Sequence, residues 1–336
     1  MAVNLKQVAE MSGVSVRTVS NVVNGFHYVA PETRQRVQGA IDALGYRPNA
    51  AARSLRTGRT GLLALVVPAL DQPYFAELAR AVVRHATAAG YTVVLDQTDA
   101  DRDRELDLLS GQPGRTMFDG LILNPLTLTS ADIPQHSAQP IVLLGERAIA
   151  SSADHVHIDN VAAARAATEH LIAQGRKHVA VIGTQDLPSG QSARLRLQGA
   201  MLALAEAGLT AHPDLLRPSD TYTREAGYQA MQAILDLHRS VDAVFCFNDT
   251  MAIGALRALR ERSVRIPDDV AVVGFDDIEE GQFSAPPLTT IRPDKDAIAR
   301  IAVERLVARI GGQGGDGQEI EVGFDLVVRE STVGRP

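Results

Sequence analysis

Five polar side chains, Ser15, Arg17, Thr18, Ser20 and Asn21, share the outer face of a predicted helix over Val16–Asn24. Hydroxyls, an amide and a guanidinium in that pattern suit base edges and phosphates in a major groove. A second set of chemically capable groups follows apolar runs: Asp71-Gln72-Pro73-Tyr74-Phe75, Glu146-Arg147, Asn248-Asp249 and Asp276-Asp277. Polar and aromatic groups beyond the carboxyl ends of parallel strands lie where open α/β sheets bind small molecules. Read singly, these residues also have plainer roles. Asp71, Asp249 and Asp277 could cap the next helix, and Phe75 could be core.

The elements that must hold the first set are helices. Leu5, Val8 and Ala9 form an apolar face, Asn4 caps it, and Gly13 takes the left-handed turn that ends it. Ser15 caps the second helix and Gly25 stops it. Small Ala9 lets the two helices approach, and Val19 faces inward: the pattern of a helix-turn-helix. Pro31 opens a third helix ending at Gly45, with Val37, Ala40, Ile41 and Leu44 inward. Tyr46–Leu55 reads as a short further DNA-contacting helix, with Asn49 capping Ala50–Leu55. Thr57–Thr60 reads as a linker.

From Gly61 the pattern changes. Apolar runs at Leu62–Val67, Thr92–Leu95, Gly120–Leu123, Ile141–Leu144, Val179–Gly183, Ala243–Phe247 and Val270–Gly274 predict strands. Between them, Phe75–Ala89, Ala162–Gln174, Ala193–Ala207, Arg224–Leu237 and Thr250–Arg260 predict helices. Such alternation implies parallel sheets covered on both faces, and two successive sets imply two lobes with a cleft. Ile320–Val328 reads as one further strand.

Charge separates the same two regions. Residues 1–60 carry eight Lys/Arg against three acids, a net +5, whereas the whole chain is −7 and the remainder −12. A basic head on an acidic body points to a polyanion for the head alone. The single cysteine, Cys246, excludes an intrachain disulfide and reads as buried. No secretory core and no membrane span are visible, so a cytoplasmic location is expected. Three patterns imitate motifs without meeting their requirements. Gly312–Gly317 spells G-x-G-x-x-G but follows a helix and precedes a strand, the reverse of a dinucleotide loop. Asp99, Asp101 and Asp103 begin like a calcium loop, but Arg104 stands where glycine is required. His155 and His157 share a strand face without an apparent third ligand, so no metal is expected. No nucleophile elbow, phosphate loop or general-base constellation marks an enzyme, and no cofactor is expected.

These pieces resemble the lactose/galactose-repressor family of bacterial transcription regulators along essentially the whole chain. The resemblance rests on Val8-Ala9 through Gly13-Val14-Ser15, Thr18-Val19-Ser20, Val22 with Asn24-Gly25, Val29 with Thr33-Arg34, and Leu44-Gly45-Tyr46-Arg47-Pro48-Asn49 leading to Ala52-Arg53-Ser54-Leu55. In the body it rests on Ser192–Arg196, Asn248-Asp249 with Met251-Ala252, Val273–Asp277 and Pro287–Ile291. It implies an all-α helix-turn-helix domain over 1–48, a hinge helix and linker over 49–60, and a type I periplasmic-binding-protein-like α/β body over 61–336. The expected lobes are approximately 61–159 with 292–322, and 160–291 with 323–336.

The resemblance also implies roles. Val16, Arg17 and Asn21 match base-reading positions. Ser15, Thr18, Ser20, Asn24 and Arg34 match phosphate or positioning contacts. Asn49, Ala52, Arg53 and Leu55 belong to the hinge helix, with Leu55 as a wedge between central base pairs. Arg196, Asn248 and Asp276 match polar effector contacts, Tyr74, Phe75 and Tyr222 aromatic ones, and Glu146 a less fixed acidic position. The expectation is a homodimer on a near-palindromic double-stranded DNA operator, acting as an allosteric repressor of carbohydrate use and released by a sugar. A co-repressor-dependent or activating regulator with a non-sugar effector, such as a nucleobase, is the alternative. A transporter's solute-binding protein is the rival from another class, and residues 1–60 argue against it.

Overall fold

The computed structural model describes residues 3–26, 28–47, 58–109, 118–129, 131–133, 139–146, 152–187 and 189–334. They form two compact units, residues 1–60 and 61–336. Among the described residues the first unit has three helices, α1 Leu5–Ser12, α2 Val16–Val23 and α3 Pro31–Leu44. Asn4 and Gln7 form a reciprocal capping box on α1, and Gly13 closes it at φ +65°. The Ser15 Oγ accepts the Thr18 amide at 3.1 Å, which starts α2. Val8, Val19 and Val37, one from each helix, are fully buried, and Ala9 and Ala40 pack around them. This small core leaves the polar side of α2 outward.

The second unit begins with β1 Leu62–Val67, α4 Pro73–Ala88, β2 Thr92–Gln97, α5 Arg102–Leu109, β3 Gly120–Leu123, β4 Ile141–Leu144 and β5 Asp154–His157. It continues through α6 Asn160–Ala173, β6 Val179–Thr184, α7 Gln191–Glu206, β7 Leu216–Pro218, α8 Arg224–Leu235, β8 Ala243–Cys246, α9 Asp249–Glu261 and β9 Ala271–Phe275. The last elements are α10 Glu279–Gln282, β10 Thr289–Pro293, α11 Lys295–Ile310, β11 Glu319–Glu321, β12 Phe324–Val327 and α12 Glu330–Val333. Two six-stranded sheets result, ordered β11-β5-β4-β3-β1-β2 and β12-β10-β9-β8-β6-β7. Among the described residues all pairings are parallel except β10 with β12. The central strands β3, β4, β8 and β9 are buried throughout, as apolar strands covered by helices on both faces must be.

The chain passes between the sheets three times, after β5, after β10 and between β11 and β12. Two expectations are corrected here. Ile320–Val328 is not one strand: Val322 and Gly323 separate β11 in the first sheet from β12 in the second. Arg292 and Pro293 complete β10 in the second sheet, so the crossing follows Pro293. A run of alternating apolar residues carries no mark of which sheet receives it. Helix α8 lies directly against α9 because Gly227 and Gly254 have no side chains. A Cβ on Gly254 would stand 2.0 Å from the Arg224 carbonyl oxygen, and one on Gly227 would stand 2.1 Å from that of Met251.

Candidate nucleic-acid interface and ligand cleft

On the first unit, Ser15, Val16, Arg17 and Asn24 are exposed, and Thr18, Ser20 and Asn21 are partly so. Val16, an apolar residue, is 43% exposed on this otherwise polar face. Such an exposed methyl group is suited to a thymine methyl. Ser15 and Thr18 hydroxyls bond each other at 2.9 Å, and the Asn24 amide bonds the Ser20 hydroxyl at 3.2 Å. The polar row is therefore preorganised on α2. Arg34 Nη2 donates to the Phe26 carbonyl at 2.6 Å, so one arm of its fork holds the turn between α2 and α3. Asn49, Ala52, Arg53 and Leu55 lie outside the described residues.

In the second unit a cavity of about 380 Å³ opens between the two sheets, with Tyr74, Phe75, Glu146, Arg196, Tyr222, Asn248 and Asp276 in its wall. Tyr74 and Phe75 stand at the start of α4, edge to face at 5.2 Å. Arg196 projects from α7 and is 6% exposed. Its Nε donates to Asn160 Oδ1 at 2.8 Å, and Nη1 donates to the Phe247 carbonyl. The guanidinium lies 3.6 Å from the centre of the Phe275 ring, and its Nη2 faces Glu146 at 3.7 Å. A cationic plate is thus fixed over an aromatic face, with an acid from the first lobe opposite.

Asn248 has a structural task as well as a place in the wall. Its Oδ1 accepts the Met251 amide at 2.8 Å and caps α9, and its Nδ2 reaches the Tyr222 carbonyl at 3.3 Å. The cap is therefore Asn248 and not Asp249. Asp249 is buried, accepting the Thr290 hydroxyl at 2.6 Å and the Ile278 amide at 2.9 Å. Burial pushes its carboxyl well above the usual range, and the Asp276 charge adds to the rise. Tyr222 Oη donates to the Gly183 carbonyl at 3.1 Å. Burial first, and nearby acids after it, push that phenol up to about 12, although the Arg196 charge opposes the rise.

Asp276 follows β9 at φ +114°, a left-handed conformation unusual for a residue with a side chain. Its amide donates to the Ile291 carbonyl at 2.8 Å. Among the described residues, none donates a hydrogen bond to its carboxylate, which is buried in the cavity wall. Burial pushes this carboxyl up to about 7, against the opposing charges of Arg196 and Lys295.

Sequence reading missed the contacts that join the lobes beside this group. Lys295, on α11 of the first lobe, donates to the Asp276 and Asp277 carbonyls at 2.7 and 3.0 Å, and pairs with Glu77 of α4. Glu77 also accepts the Glu279 amide at 3.0 Å. Nothing in the local pattern of Glu77 or Lys295 distinguishes them from solvated helix charges. Phe275 lay inside the singled-out block Val273–Asp277, but its place under Arg196 depends on α7.

Comparison with known proteins adds to this geometry. Residues 4–49 match "Bacterial regulatory proteins, lacI family", and residues 168–332 match "Periplasmic binding protein-like domain". The chain is 34% identical over 333 residues to the HTH-type transcriptional repressor PurR of Histophilus somni strain 2336, covering 97% of this chain and 98% of that one. It resembles the transcriptional regulator CelR in its cellobiose complex, with 33% identity, a TM-score of 0.71, and 98% and 99% of the two chains covered. It also resembles the lac repressor dimer bound to operator and the anti-inducer ONPF, with 28% identity, a TM-score of 0.84 and 99% of each chain covered. Among the described residues, no helix is long and apolar enough to cross a membrane.

Proposed function

Because this chain belongs to the lacI family of bacterial regulatory proteins, it is a ligand-responsive transcriptional repressor and not an enzyme, and we propose that its effector is a neutral sugar. The observation that carries this reading is the Asp276 carboxylate, buried in the cavity with no donor among the described residues. A carboxylate only accepts hydrogen bonds, and sugar hydroxyls donate them. Glu146 adds a second acid, which disfavours an anionic ligand. Tyr74, Phe75 and Tyr222 supply apolar faces for ring C–H groups, and a cavity of about 380 Å³ suits a mono- or disaccharide.

In this reading a homodimer holds a near-palindromic operator, with the α2 faces in two half-sites and Ala50–Leu55 in the minor groove between them. The Gly61 amide is tied to Asp119 Oδ2 at 2.8 Å, so the first lobe carries the linker. A ligand that binds Asp276 alters the lobe contacts that Lys295 and Glu77 make beside it. Release from the operator then needs a coupling of about 1–3 kcal/mol.

A nucleobase is the second reading, favoured by the name of the PurR relative and by the same aromatic faces. The test is a thermal-shift screen of the full chain against mono- and disaccharides and against hypoxanthine and guanine. A sugar that raises the melting temperature supports the proposal. A rise with the nucleobases alone replaces it with the second reading.

A further inference from the structure

At the outer edge of the first sheet, beside the rim of the cleft, three side chains of metal-ligating type converge. Strand β11 pairs with β5 so that Glu319 stands opposite His155, a residue 164 positions away in the chain. The pairing is anchored beside the site. Asp154 accepts the Gln318 amide at 3.0 Å, Arg309 Nε at 2.7 Å and Arg305 Nε at 3.0 Å, which locks the start of β11 against β5. His157 follows His155 on the same strand face, and the two rings stack at 4.9 Å. One nitrogen of each ring and one Glu319 carboxylate oxygen lie within 4.8 Å of one another.

The Gly145 carbonyl can only accept, so His155 Nε2, 2.6 Å from it, carries a hydrogen and Nδ1 is the ring's ligand atom. His157 Nδ1 faces the Ile158 carbonyl at 3.4 Å. His155 Nδ1 and His157 Nε2 both face one oxygen, Glu319 Oε2, at 2.6 and 3.5 Å. Two ring nitrogens and a carboxylate oxygen converging in this way make a donor set that one divalent ion can share.

We propose that His155, His157 and Glu319 form a binding site for a divalent transition ion of the zinc type. Two imidazoles and a carboxylate are a common zinc donor set, with a fourth position left for water or ligand. A backbone carbonyl accepting the far N–H of a ligand histidine, as Gly145 does for His155, fixes its tautomer and orientation. Zinc bonds of about 2.1 Å at tetrahedral angles place ligand atoms about 3.4 Å apart. The His157–Glu319 separation of 3.5 Å already fits. The His155–Glu319 pair must open by under about 1 Å, a movement available to Glu319, whose side chain is half exposed. Glu321, opposite His157 in the ladder, adds negative charge on the same face. His157 also lines the effector cavity, and Gly145 precedes Glu146, so the ion sits at the rim of the cleft.

The experiment is a Zn²⁺ titration of the full chain in competition with a chelating dye, with melting temperature as a second readout. The expected result is one Zn²⁺ per chain, bound at least 100-fold more weakly in His157→Ala and in Glu319→Ala and unchanged in His178→Ala. Zinc should raise the melting temperature of the wild type but not of Glu319→Ala. If circular dichroism shows either variant unfolded, Glu319→Gln takes its place. The absence of stoichiometric zinc, or equal affinity in the ligand variants, overturns the site and leaves a hydrogen-bonded cluster.

Discussion

Asp276→Asn removes the buried charge on which the ligand reading depends while keeping the side-chain shape. The wild-type carboxyl titrates near 7 instead of its ordinary 3.8. Between those values the native state binds more protons than the unfolded chain, so stability falls as pH rises through the window. A gap of about three pH units corresponds to about 4 kcal/mol lost between about pH 4 and pH 7. The variant lacks this decline, and relief of the neighbouring Asp249 carboxyl acts in the same direction. Its buried amide requires hydrogen bonds of its own, so a net gain of about 2–4 kcal/mol near pH 8 is expected. The same change replaces a charged acceptor for ligand hydroxyls, worth about 1.5–3 kcal/mol, or roughly 10- to 100-fold in effector affinity. Urea unfolding of both proteins at pH 5 and pH 8, followed by circular dichroism, measures the first effect, and calorimetric titration with the sugar measures the second. Equal pH slopes for wild type and variant, with unchanged sugar affinity, would refute the assignment of a strained, ligand-facing carboxylate.

Arg17→Ala should relax discrimination at one symmetric base pair per half-site by about 1–3 kcal/mol, read from binding to a panel of substituted operators. A uniform loss at every base would make Arg17 a phosphate contact. Ser15→Ala removes the α2 cap and should destabilise the N-terminal unit by about 1 kcal/mol, seen as a lower urea midpoint for residues 1–60. Gly254→Ala should destabilise the body by more than about 2 kcal/mol, because the added methyl meets backbone and not a movable side chain. An unchanged melting temperature would show that α8 and α9 separate freely.

The parts of this protein most legible in its sequence are those governed by local rules. Gly13, Ser15 and Asn4 announce the ends of α1 and α2 because a left-handed turn and a side-chain cap each require particular residue types. The strands β1, β3, β4 and β9 show as apolar runs because both of their faces are covered. Tyr74, Glu146 and Asp276 could be placed near a cleft because strand ends in parallel sheets converge there. Long-range pairings left no such mark. Val322 and Gly323 carry no sign that the chain changes sheets between them. Lys295 and Glu77 look like ordinary helix charges until the lobes are brought together. Glu319 gains a metal-like setting only when β11 is laid beside β5. Asn248 shows the opposite case, where one side chain serves both a cap and a cavity wall and the sequence pattern suggested only the second.

A sugar in the cleft should weaken the hold on DNA. Fluorescence anisotropy of a labelled palindromic operator bound to the full chain, with and without a saturating concentration of the sugar found by thermal shift, measures this coupling. A coupling of about 1–3 kcal/mol predicts operator affinity roughly 5- to 150-fold weaker with the sugar present. Unchanged operator affinity with a sugar that demonstrably fills the cleft would contradict release by the effector.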